Sequence, residues 1–252
     1  MPDSAVRQIL WWVCLLLAPL GLIAIELFHP AGFTTHPGMY QFLSQPESYQ
    51  PEHSALGYFG PSWWFTLHMI QTPLIALVAV GLWLMLADVT DRDGGYARAT
   101  AWFARAAILV FVIYYTVLDA IGGIGLGRTL ITTKAMAASG QLDAHQLEGV
   151  ILLLNAMWID PLVGGVGSFV SLTGSWAIFI ATLAAALAML ITRRVPWPPL
   201  IVLVAFGWEL QTSHAALHGP IAFALLVVAS AWLWWIRRRR APAGLEYSRS
   251  SR

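Results

Sequence analysis

The chain reads as an all-α integral membrane bundle of about six transmembrane helices with a long outer loop, and three observations lead there. Hydrophobic residues make up 58% of the 252 positions and charged residues 11%, with a mean hydropathy of +0.67; soluble domains carry about 25% charged residues. Several apolar stretches reach or approach the roughly 20 residues that a helix needs to cross the hydrocarbon core. Lys and Arg gather in alternate connections between those stretches, the pattern of a chain threaded back and forth through a bilayer.

Helix one covers 8–28, from Gln8 to Phe28, interrupted only by Pro19, Gly21 and Glu26. Arg7 before it suggests a secretory signal, but no small-x-small cleavage site precedes His29, so it is read as a permanent span. Helix two covers 63–87, helix three 101–122 and helix four 166–192. The stretch from Pro198 to Trp235 is too long for one span. Gly219-Pro220 inside it marks a tight turn that divides helix five, 198–217, from helix six, 220–236. Gln146 to Trp158 is too short to span and holds Glu148 and Asn155, so it is expected as an interfacial or re-entrant helix. Residues 1–240 form one transmembrane domain on this reading, and 241–252 a polar tail.

Orientation follows from the basic residues, because loops bearing Lys and Arg stay cytoplasmic. Arg7 precedes helix one, Arg92, Arg98 and Arg105 surround the loop between helices two and three, Arg193 and Arg194 follow helix four, and Arg237 to Arg240 follow helix six; the alternate loops hold only Arg128 and Lys134. Both termini are thereby expected in the cytoplasm, and the protein in a bacterial inner membrane. Trp11, Trp12, Trp232, Trp234 and Trp235 would mark the cytoplasmic interface, and Trp63 and Trp64 the opposite one. The run Arg237 to Arg240 is read as a topological anchor touching anionic headgroups, not as a nucleic-acid surface, which needs a broader basic face with aromatic partners. The bilayer is the expected partner, with a lipid or small hydrophobic ligand at the outer leaflet; nothing in the sequence speaks to oligomeric state. Cys14 is the only cysteine, so no disulfide forms within the chain.

All seven histidines fall on the outer side of this topology. His29 closes helix one, His68 lies about 10 Å into helix two, and His214 and His218 flank the outer turn between helices five and six. His36, His53 and His145 belong to outer loops. Helix three climbs to the same level and delivers Asp119 there. A carboxylate within a span is costly and marks a functional site whose partner should be named; the expected partner is His68, with Arg128 as rival. His214 and His218 stand four apart, a spacing that on a helix sets both imidazoles on one face as metal ligands. The expected metal ligands are therefore His68, His214 and His218. Asp119 and Glu209 are the expected acid–base carboxylates, and Glu26, His29, Gln71 and Arg128 support them.

The run Gly122-Gly123-Ile124-Gly125-Leu126-Gly127 follows a hydrophobic helix rather than a strand, which excludes a nucleotide-binding loop; it is expected to let helix three approach its neighbours or unwind near the outer surface. Gly167, Ser171 and Ser175, with Gly164 and Ser168 beside them, predict a small-residue packing stripe on helix four. The outer loop from Pro30 to Pro61 lacks Lys and Arg but carries Phe33, Tyr40, Phe42, Tyr49, Tyr58 and Phe59. It reads either as a lid over the helix ends or as a segment resting on the membrane surface.

Glu26-Leu27-Phe28-His29-Pro30, His68-x-x-Gln71, Asp119-Ala120-Ile121-Gly122-Gly123 and His214 resemble a group of uncharacterised multi-pass bacterial membrane proteins over most of the chain, which implies location and architecture. His68, Asp119, His214 and His218 together also resemble, at the level of site chemistry, the CREST-type membrane hydrolases, which hold zinc with three histidines beside an Asp and a Ser. This chain departs from them in having six expected spans instead of seven, and Phe65 and Trp64 instead of Ser before His68. Three functional classes stay open: a zinc hydrolase of a lipid amide or ester at the outer leaflet, a haem-binding electron carrier ligated by His68 with His214 or His218, and a transporter, sensor or assembly protein with a structural or proton-linked cluster. Zinc is preferred to haem.

Overall fold

The computed structural model describes residues 4–30, 40, 60–89, 94–165, 167–193, 195–215 and 217–240. Among these the regular structure is entirely helical. α1 (Ser4–Trp12) runs through a π-helical turn (Val13–Leu17) into α2 (Ala18–Glu26). Pro19 cannot donate a backbone hydrogen bond, and its ring crowds the carbonyl four residues back. The wider π turn just ahead of it takes up that mismatch. α3 (Pro61–Met85) begins on a proline, whose missing N–H costs nothing in a first turn. α4 (Gly95–Leu118) continues through a second π turn (Asp119–Gly125) into α5 (Leu126–Ala138). α6 (Ala144–Trp158), α7 (Phe169–Ile191), α8 (Trp197–Thr212) and α9 (His218–Arg240) complete the chain.

Among the described residues, five helical segments are long and apolar enough to cross a membrane: Ala5–Glu26, Pro61–Met85, Gly95–Ala138, Phe169–Ile191 and His218–Arg239. α8, the sixth expected span, has 16 residues and a length of about 24 Å, short of a hydrocarbon core of about 30 Å. It nevertheless packs against both α7 and α9. Helix three was expected to stop near Gly122, yet the Gly95–Ala138 rod has 44 residues. Its glycines are absorbed into the π turn, so the helix continues as α5, which carries Arg128 and Lys134. α7 starts at Phe169 because the Ser168 hydroxyl accepts the Ser171 N–H and Gly167, at φ +89°, turns the chain into that cap. The expected start at Val166 lies outside the described residues, as do residues 31–39 and 41–59 of the outer loop and the tail 241–252.

The small-residue seam lies elsewhere on α7 than expected. Ser171 and Ser175 are half-buried, while Gly174, Ala177, Ala181, Ala184, Ala185 and Ala188 are buried, and α4 lies along this helix with Ala101 and Ala104 also buried. Side chains this small let helix backbones approach closely where lipid supplies no hydrophobic drive. Larger side chains fill the centre of the bundle, among them Leu22, Ile75, Phe111, Ile178, Phe206 and Phe223. Leu17, Ile70, Leu109, Leu183, Ile201 and Val228 are exposed on the outside. An apolar exterior of this extent suits a hydrocarbon solvent, in which each helix satisfies its own backbone.

Arginines and tryptophans gather at one end. Asp88 pairs with Arg7 and with Arg237, at 3.4 Å for the latter, and Arg237 also donates to the Met85 carbonyl at 2.7 Å. Guanidinium groups lie over rings, Arg237 on Trp11 at 4.8 Å, Arg238 on Trp234 at 3.9 Å and Arg239 on Trp235 at 3.8 Å. These contacts tie α1, α3 and α9 together. Because the Asp88 side chain is 39% exposed, Asp88→Asn is expected to cost no more than about 1 kcal/mol per pair. Thermal unfolding in detergent should register that as a fall of roughly 2–8 °C.

Candidate metal centre

The opposite end of the bundle collects most of the buried polar residues described. α2 ends at Glu26, and a final turn brings His29 N–H to the Glu26 carbonyl at 3.1 Å before Pro30 stops the helix. His68 sits two turns into α3, with Gln71 one turn further on the same face. The π turn opens on Asp119, one turn beyond Tyr115 of α4. His214 lies in the turn that follows α8. Glu26, His29, His68, Gln71 and Asp119 are all buried to within 3% of full exclusion from solvent.

The imidazoles of His29, His68 and His214 meet, each offering a ligand nitrogen, with all three nitrogens within 4.8 Å of one another. Ring centroids are 5.3 Å apart for His29 and His68 and 4.9 Å for His29 and His214, in edge-to-face contact. Backbone carbonyls orient two of the rings. His68 Nδ1–H donates to the Trp64 carbonyl at 2.7 Å, and His29 Nδ1–H donates to the Pro30 carbonyl at 2.7 Å. Each bond fixes the tautomer and leaves Nε2 with its lone pair, the form in which histidine binds metals. Burial, and then the facing His214 and His68 rings, hold the His29 imidazole well below its ordinary pKa, so it is neutral at physiological pH. Zinc–nitrogen bonds of 2.0–2.1 Å in a tetrahedron ask for nitrogens about 3.3 Å apart, so a side of this triangle, none longer than 4.8 Å, would close by at most about 1.5 Å.

Trp64 forms one wall. Its ring lies 4.5 Å from that of His68 and 5.3 Å from that of His29, and its indole N–H donates to the Gly122 carbonyl at 3.0 Å. Gly123 gives the His68 ring its space, for a Cβ there would stand 2.7 Å from His68 Cβ and collide with the ring. The glycine run therefore provides the close approach expected of it, specifically at the imidazole. Trp158 of α6 packs on Trp64 at 6.3 Å, and the Asn155 side-chain oxygen accepts the Tyr40 N–H at 3.0 Å. α6 starts with a reciprocal cap between Asp143 and Gln146. It packs chiefly on α5 and exposes Leu152, Leu153 and Met157, the form of an amphipathic helix lying against the bundle.

Two carboxylates lie beside the histidines. Gln71 Nε2 donates to Glu26 Oε1 at 2.7 Å and also bonds the Tyr115 hydroxyl, whose ring is 5.5 Å from that of His214. Thr72 donates to Asp119 Oδ2 at 2.9 Å, so the partner of Asp119 is the neighbour of Gln71 and not the expected His68 or Arg128. Arg128 projects from the exposed face of α5. A cavity of about 10 Å³ lined in part by Tyr115, Ser171, Ser175 and His214 has room for one water.

His218 and Glu209 are placed apart from this cluster. α8 ends at Thr212, the chain turns through Leu217 at φ +77°, and His218 opens α9. The four-residue spacing of His214 and His218 thus spans a turn instead of a helical face. His218 Nδ1 pairs with Glu209 Oε2 at 2.8 Å on a partly exposed surface. His145 is exposed on α6, 3.9 Å from Glu148, and His36 and His53 fall outside the described residues. The third imidazole is instead that of His29, and its signals were the Glu-x-x-His spacing at the end of helix one and the proline behind it. Tyr115 and Thr72 were not anticipated. Tyr115 is four residues before Asp119, on the same helical face, and that spacing would have found it. Comparison with known proteins returns no matching family model, no matching curated protein and no matching solved structure.

Proposed function

We propose that this is a multi-pass inner-membrane metalloprotein, with both termini cytoplasmic, that holds zinc through His29, His68 and His214 at the outer leaflet and uses it to hydrolyse an amide or ester of a lipid. The observation carrying this reading is the convergence within 4.8 Å of three imidazole nitrogens, those of the buried His29 and His68 and of the half-buried His214, with Nδ1 of His29 and of His68 bonded to a backbone carbonyl. Three protein ligands leave a fourth position for water, the arrangement of catalytic zinc sites. The likeness to CREST-type hydrolases is one of chemistry, with His29 taking the place first expected of His218. A lipid substrate is supported by the site's position between apolar spans, beside a helix with an exposed apolar face. Haem fits less well. A porphyrin between two axial imidazoles needs a planar slot, whereas these three rings touch edge to face at 4.9–5.3 Å.

The test is elemental analysis with an absorption spectrum on detergent-purified protein. Wild type is expected to carry about one zinc per chain without a Soret band, and His68→Ala at most a tenth of that, given the 10–100-fold losses that follow even from disturbing a ligand's supports. A wild type that binds no added zinc overturns the metal reading, and a Soret band lost in His68→Ala replaces zinc with haem. The orientation is tested separately, by labelling single cysteines placed at the arginine end from either side of sealed vesicles.

A further inference from the structure

Three buried acceptor atoms at the histidine end have no hydrogen-bond donor: His29 Nε2, Glu26 Oε2 and Gln71 Oε1. They are adjacent. Glu26 and His29 are one turn apart at the end of α2, and Gln71 is bonded to the other oxygen of Glu26 at 2.7 Å. Buried polar atoms are nearly always satisfied, and a cluster left unsatisfied calls for a bound species. Acceptors without donors call for a cation or for something that carries O–H bonds, and a metal with a bound water supplies both. Electrostatics points the same way, because a dication among three neutral imidazoles in an apolar bundle is uncompensated without a nearby anion.

Of the carboxylates at this end, Asp119 is engaged by Thr72 and Glu209 by His218. Glu26 keeps an oxygen free and is wholly buried. It also lies next to the third ligand's turn, since a Cβ built on Gly219 would stand 3.3 Å from Glu26 Cβ and against the His214 carbonyl. Glu26 is not among the residues whose ligand atoms converge within 4.8 Å, and its place one turn deeper than His29 suits contact through a water.

Resting on the metal reading above, we propose that Glu26 is the anionic positioning residue of the site, its free Oε2 accepting a hydrogen bond from a water in the fourth coordination position while Gln71 and Tyr115 hold the carboxylate in place. The role assigned in the sequence to Asp119 and Glu209 thereby passes to a residue on helix one.

Cobalt(II) is the probe, since its d–d absorption reports the ligands that zinc would have. The full-length protein in detergent is expected to bind one cobalt with a tetrahedral spectrum. Glu26→Gln, nearly the same shape, is expected to keep a cobalt site built by three histidines, but with a shifted d–d band and an affinity lower by about 10–100-fold, the usual effect of removing such a partner. Glu148→Gln, on the exposed face of α6, should leave both unchanged. If Glu26→Gln does not purify as a monodisperse species, Glu26→Asp carries the same expectation, because it keeps the charge but withdraws the oxygen by one carbon. An unchanged band and an affinity within about threefold of wild type, well inside that range, overturn the proposal. Failure of the wild type itself to bind cobalt identifies the three-histidine reading as the one at fault.

Discussion

Gly123→Ala is expected to dismantle the proposed metal site while leaving the spans inserted. The added methyl would stand 2.7 Å from His68 Cβ, the root of the side chain, as well as colliding with the ring. The ring has no easy escape, being tied through Nδ1 to the Trp64 carbonyl and lying against the Trp64 indole at 4.5 Å. Either His68 turns away or the π turn carrying Gly123 moves off α3. Metal affinity should fall by at least about 100-fold, the upper range for changes that misplace a ligand, and overpacking should cost about 1–3 kcal/mol. Titration with zinc and a melting curve on the same preparation read both. Wild-type affinity in Gly123→Ala would mean that the helices are not in this register.

Gln71→Leu is expected to give the largest loss of stability at this end of the bundle. It keeps the volume but strips the donor from Glu26 Oε1 and the partner from the Tyr115 hydroxyl, both buried. The two orphaned groups cost about 1–3 kcal/mol each, about 2–6 kcal/mol together, so at about 2–4 °C per kcal/mol the melting temperature should drop by roughly 4–24 °C. The double variant Glu26→Leu with Gln71→Leu should recover part of the loss, because replacing both partners of a buried hydrogen bond by apolar groups can be nearly neutral. Purely additive losses in that cycle would show that the two side chains do not act on each other. The double variant should still bind metal poorly, which separates the stabilising role of the pair from its place beside the histidines.

Both predictions concern contacts between helices, and these are where reading along the chain reached its limit. Composition and apolar run lengths identified an all-helical membrane bundle, because a bilayer imposes a length and a polarity on every segment that crosses it. The depth of each polar residue was equally legible, since position along a helix advances by a constant rise per residue. Counting from the ends placed His29, His68, Asp119 and His214 in one layer. Helix ends were less legible where glycines were concerned. Gly122, Gly123 and Gly125 read as a place where helix three could stop, and they proved to be a π turn within a longer rod.

The tertiary structure alone decided which members of that layer meet. Two residues at equal depth can face each other or point apart, and the rotation of each helix about its axis is set by how its neighbours pack, not by its own residues. His214 and His218 look like a helical pair until the end of α8 at Thr212 puts a turn between them, which leaves His218 with Glu209. Asp119 looks like a partner for His68 until the packing of α3 against the π turn offers it Thr72. His29, one of several outer histidines in the sequence, becomes the third nitrogen because the last turn of α2 and Pro30 aim its ring at α3 and at the turn after α8. Sequence determined the membrane, the helices and the layer, through forces that act on one segment at a time; the meeting of His29 with His68 and His214, with Glu26 close by, came from close packing among segments far apart in the chain.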